Sequence, residues 1–200
     1  FVPEMERLFQ ASPSYRRNFL DRLIFSSKNN YNTLINKYKK FLLERTKLLQ
    51  KYTYDNNWLN HLESTICSLG MEIYEARNSQ IDSINSHLDI LKQDHKFQFD
   101  VKLTIKDSFF KKNTSFEEYL LKIKDLRAFD KKFGGSSIGP HRSDLLAIIN
   151  NDLEASILST GQQKTVVLMI ILAQCNFLIK NKSIEPILLF DEIASHLDSY

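Results

Sequence analysis

The sequence predicts an α/β (α+β) protein whose first half is helical and whose second half contains strands. Through most of residues 13–91, apolar side chains recur every three or four positions, which is the period of an amphipathic helix. From residue 97 they alternate strictly with polar ones, as in a half-buried strand. The apolar run 187–190 is followed at once by two acids, which predicts a buried strand that ends in Asp191 and Glu192.

Three helices are predicted in the first half. Ser12 and Pro13 form an N-cap and first-turn pair, because the serine oxygen can accept a backbone amide and proline has none to leave unpaired. Polar stretches at 28–30 and 55–57 separate the second and third helices, and the third is expected to continue through Leu91. With few breakers between them, the helices are expected to pack as antiparallel arms.

The second half opens with the alternating segment 97–105, which predicts a strand. Ser115 and Glu118 have the spacing of a capping box, which predicts the start of a helix. Gly134 and Gly135 are expected to end that helix in the left-handed conformation that glycine adopts without strain.

A β-hairpin is predicted next, from Leu145–Ile149 and Ala155–Leu158 on either side of an Asn-Asn-Asp turn. A strongly apolar helix from Gly161 to about Ile179 then precedes the strand at 187–190.

Composition indicates a folded, soluble chain. The 200 residues are 42% hydrophobic and 26% charged with only 5 Gly and 4 Pro, which is enough apolar content for a sizeable core. No apolar run approaches the roughly 18 residues that span a bilayer, and no leader opens the chain, so membrane and secretory classes are not expected. Cys67 and Cys175 show no paired-cysteine motif, and we expect a reducing, cytoplasmic location.

The formal charge of +3 is unevenly distributed. Residues 96–142 carry 11 Lys and Arg against 6 Asp and Glu, whereas residues 143–200 carry 3 against 7. The basic middle could face phosphates, although a merely solvated face would have the same composition. The acidic last third suits coordination of a cation.

The end of the predicted strand resembles a Walker B element. A rigid strand would place Asp191 to hold a hydrated Mg²⁺ and Glu192 to orient a water for attack on a γ-phosphate. In isolation, such acids can equally cap a following helix.

Upstream, Leu158–Lys164 resembles the LSGGQ signature of ABC-type ATPases, with Thr160 in place of the first glycine. A hydroxyl and a glycine at a helix start can hold a phosphate through unpaired amides and the helix dipole. By this resemblance, Ser159, Thr160, Gly161 and Gln162 would contact ATP held by the opposite subunit, which implies an ATP-dependent homodimer. The alternative is an ordinary serine-capped core helix.

A third motif follows the acids. The stretch Ser195, His196, Leu197 and Asp198 resembles the D-loop that crosses the dimer interface beside the nucleotide in such ATPases. Alone, His196 could be a surface histidine. Signature, Walker B and D-loop stand here in the usual order, so the resemblance is to an ABC- or SMC-type ATPase head.

Two further stretches resemble the RecF recombination and repair family. Residues 139–145, Gly-Pro-His-Arg-Ser-Asp-Leu, resemble its GPHRxDL stretch. Residues 3–21 resemble another of its signatures, which begins with proline and an acid and ends in Arg-Arg, any residue, phenylalanine, an aliphatic residue and aspartate, with Ala11 where the family usually has glycine. The resemblance extends from end to end of the chain.

The resemblance implies a cytoplasmic DNA repair and recombination protein that binds ATP with Mg²⁺ and is a weak DNA-dependent ATPase. It would dimerise on ATP, bind DNA at single-strand gaps and junctions, and act with RecR and RecO to load recombinase. Residues 1–95 would form an inserted helical arm domain and 96–200 an incomplete ATPase head. Arg142, Lys131 and Lys132 are candidates for contact with DNA or a partner.

A phosphate-cradling G-x-x-x-x-G-K-S/T loop is absent from the 200 residues. Family members carry this Walker A loop near the N-terminus, so we expect it before Phe1, with a switch histidine beyond Tyr200, and expect no ATP hydrolysis by this chain alone. Two alternatives stay open: another SMC-like head such as RecN, and a non-enzymatic helical module that binds DNA or protein.

Overall fold

A computed structural model describes residues 7–53, 55–94 and 99–189. The helices and strands within these ranges follow one another in the order α1 (Pro13–Phe25), α2 (Tyr31–Gln50), α3 (Asn56–Asp94), β1 (Val101–Lys106), α4 (Phe116–Asp125), α5 (Arg127–Phe133), β2 (Asp144–Ile149), β3 (Leu153–Glu154) and α6 (Thr160–Lys182), with a short 3₁₀ turn, Ala155–Ile157, before α6. The three helices predicted for the first half, including the long third one, are confirmed.

The chain divides into two compact units. The first comprises Phe1–Leu23, Asn78–Lys106 and Asp144–Tyr200, and the second Ile24–Arg77 and Asp107–Ser143. These units do not follow a boundary at residues 95 and 96, because α3 runs without a break from one unit into the other and the second unit takes helices from both halves of the chain. The assignment of an arm and an ATPase head stays a prediction.

The first unit contains an antiparallel sheet in the order β1-β2-β3. Its hairpin was predicted, but the second strand is Leu153–Glu154 and not Ala155–Leu158. Asn150 and Asn151 both have positive φ, of 51° and 66°, so the chain reverses tightly and pairing resumes at once. The following residues form the 3₁₀ turn that leads into α6.

Helix α6 is the most apolar of the helices in the first unit. By length and composition it could cross a membrane, although no run of 18 uninterrupted apolar residues is present in the sequence. In the structure, 56% of its most apolar window is buried within the protein. A buried core helix of a folded domain has the same properties.

The second unit combines α2 and the first half of α3 with α4 and α5. Ser115 caps α4 through the predicted capping box, in which its Oγ accepts from Glu118 N and its N donates to Glu118 Oε2. Gly134 ends α5 in the left-handed conformation with φ of 78°, also as predicted. The single helix expected between them is wrong, since it breaks at Leu126, and α5 then directs Asp130 into a buried ion pair.

Candidate functional site

The signature-like residues form the start of α6. Ser159 is its N-cap: Ser159 Oγ accepts from Gln162 N at 3.3 Å, and Ser159 N donates to Gln162 Oε1 at 3.0 Å. This reciprocal pair is a capping box. Because the serine oxygen acts as the acceptor in the cap, its hydroxyl proton can be donated to an anion outside the helix.

The next two residues offer further donors. Thr160 and Gly161 contribute the first backbone amides of the 23-residue helix α6. The first amides of an α-helix have no hydrogen-bond acceptor within the helix. Ser159 and Thr160 are exposed and Gly161 is half-buried. The donor set therefore fits a phosphate, with the positive end of the helix dipole behind it. Thr160 substitutes for glycine here without disturbing the helix start.

Buried polar contacts fix the direction of α6. Gln163, which is 1% exposed, donates through Nε2 to the carbonyl of Leu158 at 2.8 Å and so holds the segment that precedes the cap. Farther along, Gln174 Nε2 donates to the carbonyl of Leu23 at 3.0 Å and Gln174 Oε1 accepts from Gln80 Nε2 at 2.8 Å. Helix α6 is thus hydrogen-bonded to α1 and α3 within the first unit.

The predicted Walker B strand is not formed in the described residues. Residues 184–189 belong to no helix or strand, and Ile187 and Leu189 are 88% and 77% exposed. An extended segment becomes a buried strand only where a neighbouring strand supplies its hydrogen bonds, and the described sheet ends at β1 and β3. Asp191 and Glu192, and the D-loop residues Ser195, His196, Leu197 and Asp198, lie outside the described residues.

The Gly-Pro-His-Arg stretch forms a hydrogen-bonded turn in the second unit. Pro140 O accepts from Arg77 Nη1 at 2.6 Å. His141 lies between Tyr38 Oη, 2.9 Å from its Nδ1, and Ser136 O, 2.9 Å from its Nε2. These contacts give the stretch a structural role that the sequence pattern did not reveal.

Gly139 brings this turn against two buried tyrosines. Its φ is +125°, and a Cβ there would lie 2.6 Å from the hydroxyl oxygen of Tyr119 and closer still to that of Tyr38. Both tyrosines are almost fully buried, and burial raises the pKa of each hydroxyl above its ordinary value. The neutral hydroxyls therefore persist at any physiological pH.

Arg16 and Asp144, one from each family-like stretch, form an ion pair within the first unit. Arg16 Nε and Nη2 each donate to an Asp144 carboxylate oxygen at 2.7 Å. Arg16 Nη1 also donates to Phe9 O at 3.2 Å. The hydrogen bond with Asp144 is the main reason that the pKa of Arg16 is raised. Arg16 is therefore a structural residue, with its charge satisfied in the fold.

The predicted nucleic-acid contacts lie together in the second unit. Lys131 and Lys132 are exposed on α5, and Lys131 Nζ donates to the carbonyl of Lys51 at 3.3 Å. Arg142 is exposed; its Nε donates to Ser136 O at 2.9 Å, and its guanidinium carbon lies 6.0 Å from the ring centre of Phe133.

A buried ionic network in the same unit was missed at the sequence level. Arg45, which is completely buried, pairs with Glu63 at 3.0 Å and with Asp130 at 2.6 Å, and Arg127 also pairs with Glu63. Charged residues on predicted amphipathic helices are ordinarily placed on the solvent face, and the residues lie too far apart in sequence for spacing to pair them. No group of three or more potential metal ligands is found among the described residues.

Known proteins resemble the chain over nearly its whole length. It is 33% identical over 200 residues to the DNA replication and repair protein RecF of Rickettsia prowazekii and, equally, to that of Rickettsia typhi, covering 98% of this chain and 56% of each relative. No family model matches the chain. The chain thus spans about half the length of the curated relatives it matches.

Solved structures agree on the fold. A structure described as the recombination mediator protein RecF with ATP, in the RecFOR pathway, superposes with a TM-score of 0.86 at 24% identity, over 100% of this chain and 55% of that one. A second RecF structure gives 0.84 over 99% of the chain. The α/β fold is thus that of about half of a RecF protein, an ABC/SMC-like fold. By sequence along nearly all its length and by fold, this chain is similar to about half of a RecF protein.

Proposed function

We propose that this chain is part of an ATP-dependent DNA repair and recombination protein that dimerises when ATP is bound. The observation that carries the proposal is the exposed start of α6, where the Ser159 hydroxyl and the amides of Thr160 and Gly161 form a donor set for a phosphate. Two of these residues are exposed to solvent, so the phosphate can come from a nucleotide held by a second copy of the protein.

In this proposal the acidic end of the chain supplies the hydrolytic chemistry. Asp191 would hold Mg²⁺ through water, and Glu192 would orient the attacking water toward the γ-phosphate. The D-loop residues, Ser195 to Asp198, would cross to the second subunit beside the nucleotide. Mg²⁺ would neutralise the charge that develops on the phosphates.

The proposed partners follow from the names of the relatives and from charge. The relatives are called replication and repair proteins, and the solved structures are assigned to the RecFOR pathway. We therefore propose that the protein acts in the cytoplasm on DNA gaps and junctions together with RecR and RecO. The basic residues 96–142 supply charge for the phosphate backbone, so binding should weaken as salt rises.

The substitution Glu192→Gln in the full-length protein tests the catalytic part. It removes the carboxylate that orients water and keeps the side-chain size, so we expect ATP turnover to fall at least about 100-fold with ATP binding retained. Steady-state phosphate release measures ATP turnover, and binding of a fluorescent nucleotide measures ATP binding. Glu185→Gln, which changes an exposed acid seven positions upstream, should leave both unchanged. Equal turnover in Glu192→Gln and wild type would favour a non-enzymatic DNA-binding module.

A further inference from the structure

Helix α5 buries a charge and exposes its aromatic residues. Asp130 is 2% exposed, whereas Phe129 and Phe133 are 52% and 65% exposed. An ordinary surface helix buries its apolar side chains and exposes its charged ones, and α5 does the reverse. Buried charges and exposed large apolar side chains are the features that point to a function. The arrangement therefore calls for a specific use of the outward face.

The buried network holds α5 in this orientation. Asp130 Oδ2 accepts from Arg45 Nη1 at 2.6 Å, while Asp130 Oδ1 accepts from Ser137 N and Oγ at 2.9 and 2.7 Å. At the other end of the helix, Arg127 Nε donates to Glu63 Oε1 at 3.0 Å. Rotation of α5 to hide its phenylalanines would leave these charges buried and unpaired, which is strongly unfavourable. The outward face is thus preorganised.

The outward surface carries both aromatic rings and cations, and we name it the α5 face: Phe129, Lys132, Phe133 and Arg142. The two phenylalanine rings are stacked with their centres 5.4 Å apart and their planes 14° from parallel. Arg142 lies over the second ring, with its guanidinium carbon 6.0 Å from the ring centre. Lys132 is exposed.

We propose that the α5 face binds single-stranded nucleic acid, with unpaired bases stacked on the phenylalanines and phosphates held by Lys132 and Arg142. Stacking platforms beside cations are how proteins bind single strands without regard to sequence. Charge favours this occupant over a protein, since Asp130 is the one acid in residues 126–143 and is buried. The inference rests on the proposed function and assigns the single-strand part of its DNA binding to one surface.

The test is the double substitution Phe129→Ala/Phe133→Ala in the full-length protein, with fluorescence anisotropy of a labelled dT20 strand and of a blunt 20-base-pair duplex. We expect affinity for dT20 to fall at least about tenfold, because each lost stacked base is costly. Duplex affinity should stay within about twofold of wild type. The salt dependence should also be unchanged, since no cation is removed.

Two further variants control for folding. Phe25→Ala removes a phenylalanine that is also 52% exposed but lies outside the α5 face, and it should bind dT20 as wild type does. Phe133→Trp keeps an aromatic surface, so it should retain dT20 affinity, and its added tryptophan fluorescence should be quenched when dT20 binds.

Wild-type affinity of the double variant for dT20 would overturn the inference, as would an equal loss on dT20 and duplex. Unchanged oligonucleotide binding with altered self-association would assign the face to a protein partner and overturn it as well. ATP-dependent dimerisation of the same variant is measured in parallel. If the double variant dimerises with ATP and binds dT20 as wild type does, only the inference about the α5 face is refuted. If the wild type does not dimerise with ATP, the proposed function is refuted.

Discussion

Arg16 and Asp144 lie 128 positions apart in sequence and meet through two hydrogen bonds of 2.7 Å. Each belongs to a different family-like stretch, and both residues lie in the first unit. Gly139 and His141 likewise serve the turn they belong to. Of the turn's charged side chains, Arg142 is the one exposed to solvent. The Gly-Pro-His-Arg residues therefore mainly stabilise the turn, and Arg142 alone among its charged side chains is exposed to solvent.

The substitution Gly139→Ala should destabilise the protein by about 2–4 kcal/mol. The new Cβ would overlap the Tyr38 and Tyr119 hydroxyls, and a φ of +125° is strained for any residue with a side chain. Urea unfolding followed by circular dichroism measures the loss.

Gly135→Ala is the matched control, because a Cβ there would meet Arg142 Nη2 at an ordinary 3.9 Å. Its stability should stay within about 0.5 kcal/mol of wild type. Similar losses for the two alanine variants would show that the tyrosine pair does not constrain the turn.

At the scale of elements, the sequence predicts most of the regular structure and little of its polar interior. Helix starts at Pro13 and near Ser159, the capping box at Ser115 and the glycine that ends α5 follow from local chemistry, which short sequence windows contain. The break at Leu126 depends on partners brought together by the fold, so no local pattern announces it.

The start of β3 is a second feature that the sequence does not predict. Its offset depends on two consecutive left-handed asparagines, and asparagine tolerates that conformation without requiring it. The apolar run 187–189 is a third such feature, because an apolar segment forms a strand only where a neighbouring strand supplies its hydrogen bonds. The site itself could be predicted only where it coincides with a helix start. Of the α5 face, the sequence predicted the cations Lys132 and Arg142 but not the exposed Phe129 and Phe133.

Removal of Arg45 from the buried network should be far more costly than loss of a surface ion pair. Arg45→Met would leave Glu63 and Asp130 buried with fewer partners, at a cost of about 3–5 kcal/mol. Lys92→Met breaks the exposed pair with Asp100 and should cost at most about 1 kcal/mol. Chemical unfolding of both variants measures the difference. Equal effects would mean that the network does not hold α5.

For the whole molecule, the chain corresponds to about half of the RecF proteins it resembles, so the nucleotide site is expected to need the rest of the protein and a second copy. The α6 start would then act on ATP held by the opposite subunit. Dimerisation, ATP binding and the chemistry at Glu192 would be coupled in the proposed function, because the signature residues would complete the site only across the interface.

Sedimentation velocity of the full-length protein with ATP tests that coupling most directly. In the Glu192→Gln background, which should hold ATP and accumulate the dimer, addition of Ser159→Arg should return the protein to monomer, because the long side chain fills the phosphate position at the α6 start. Ser156→Arg, at an exposed position three residues earlier, should remain dimeric. An ATP-dependent dimer that persists with Ser159→Arg would contradict the role of the α6 start in nucleotide contact.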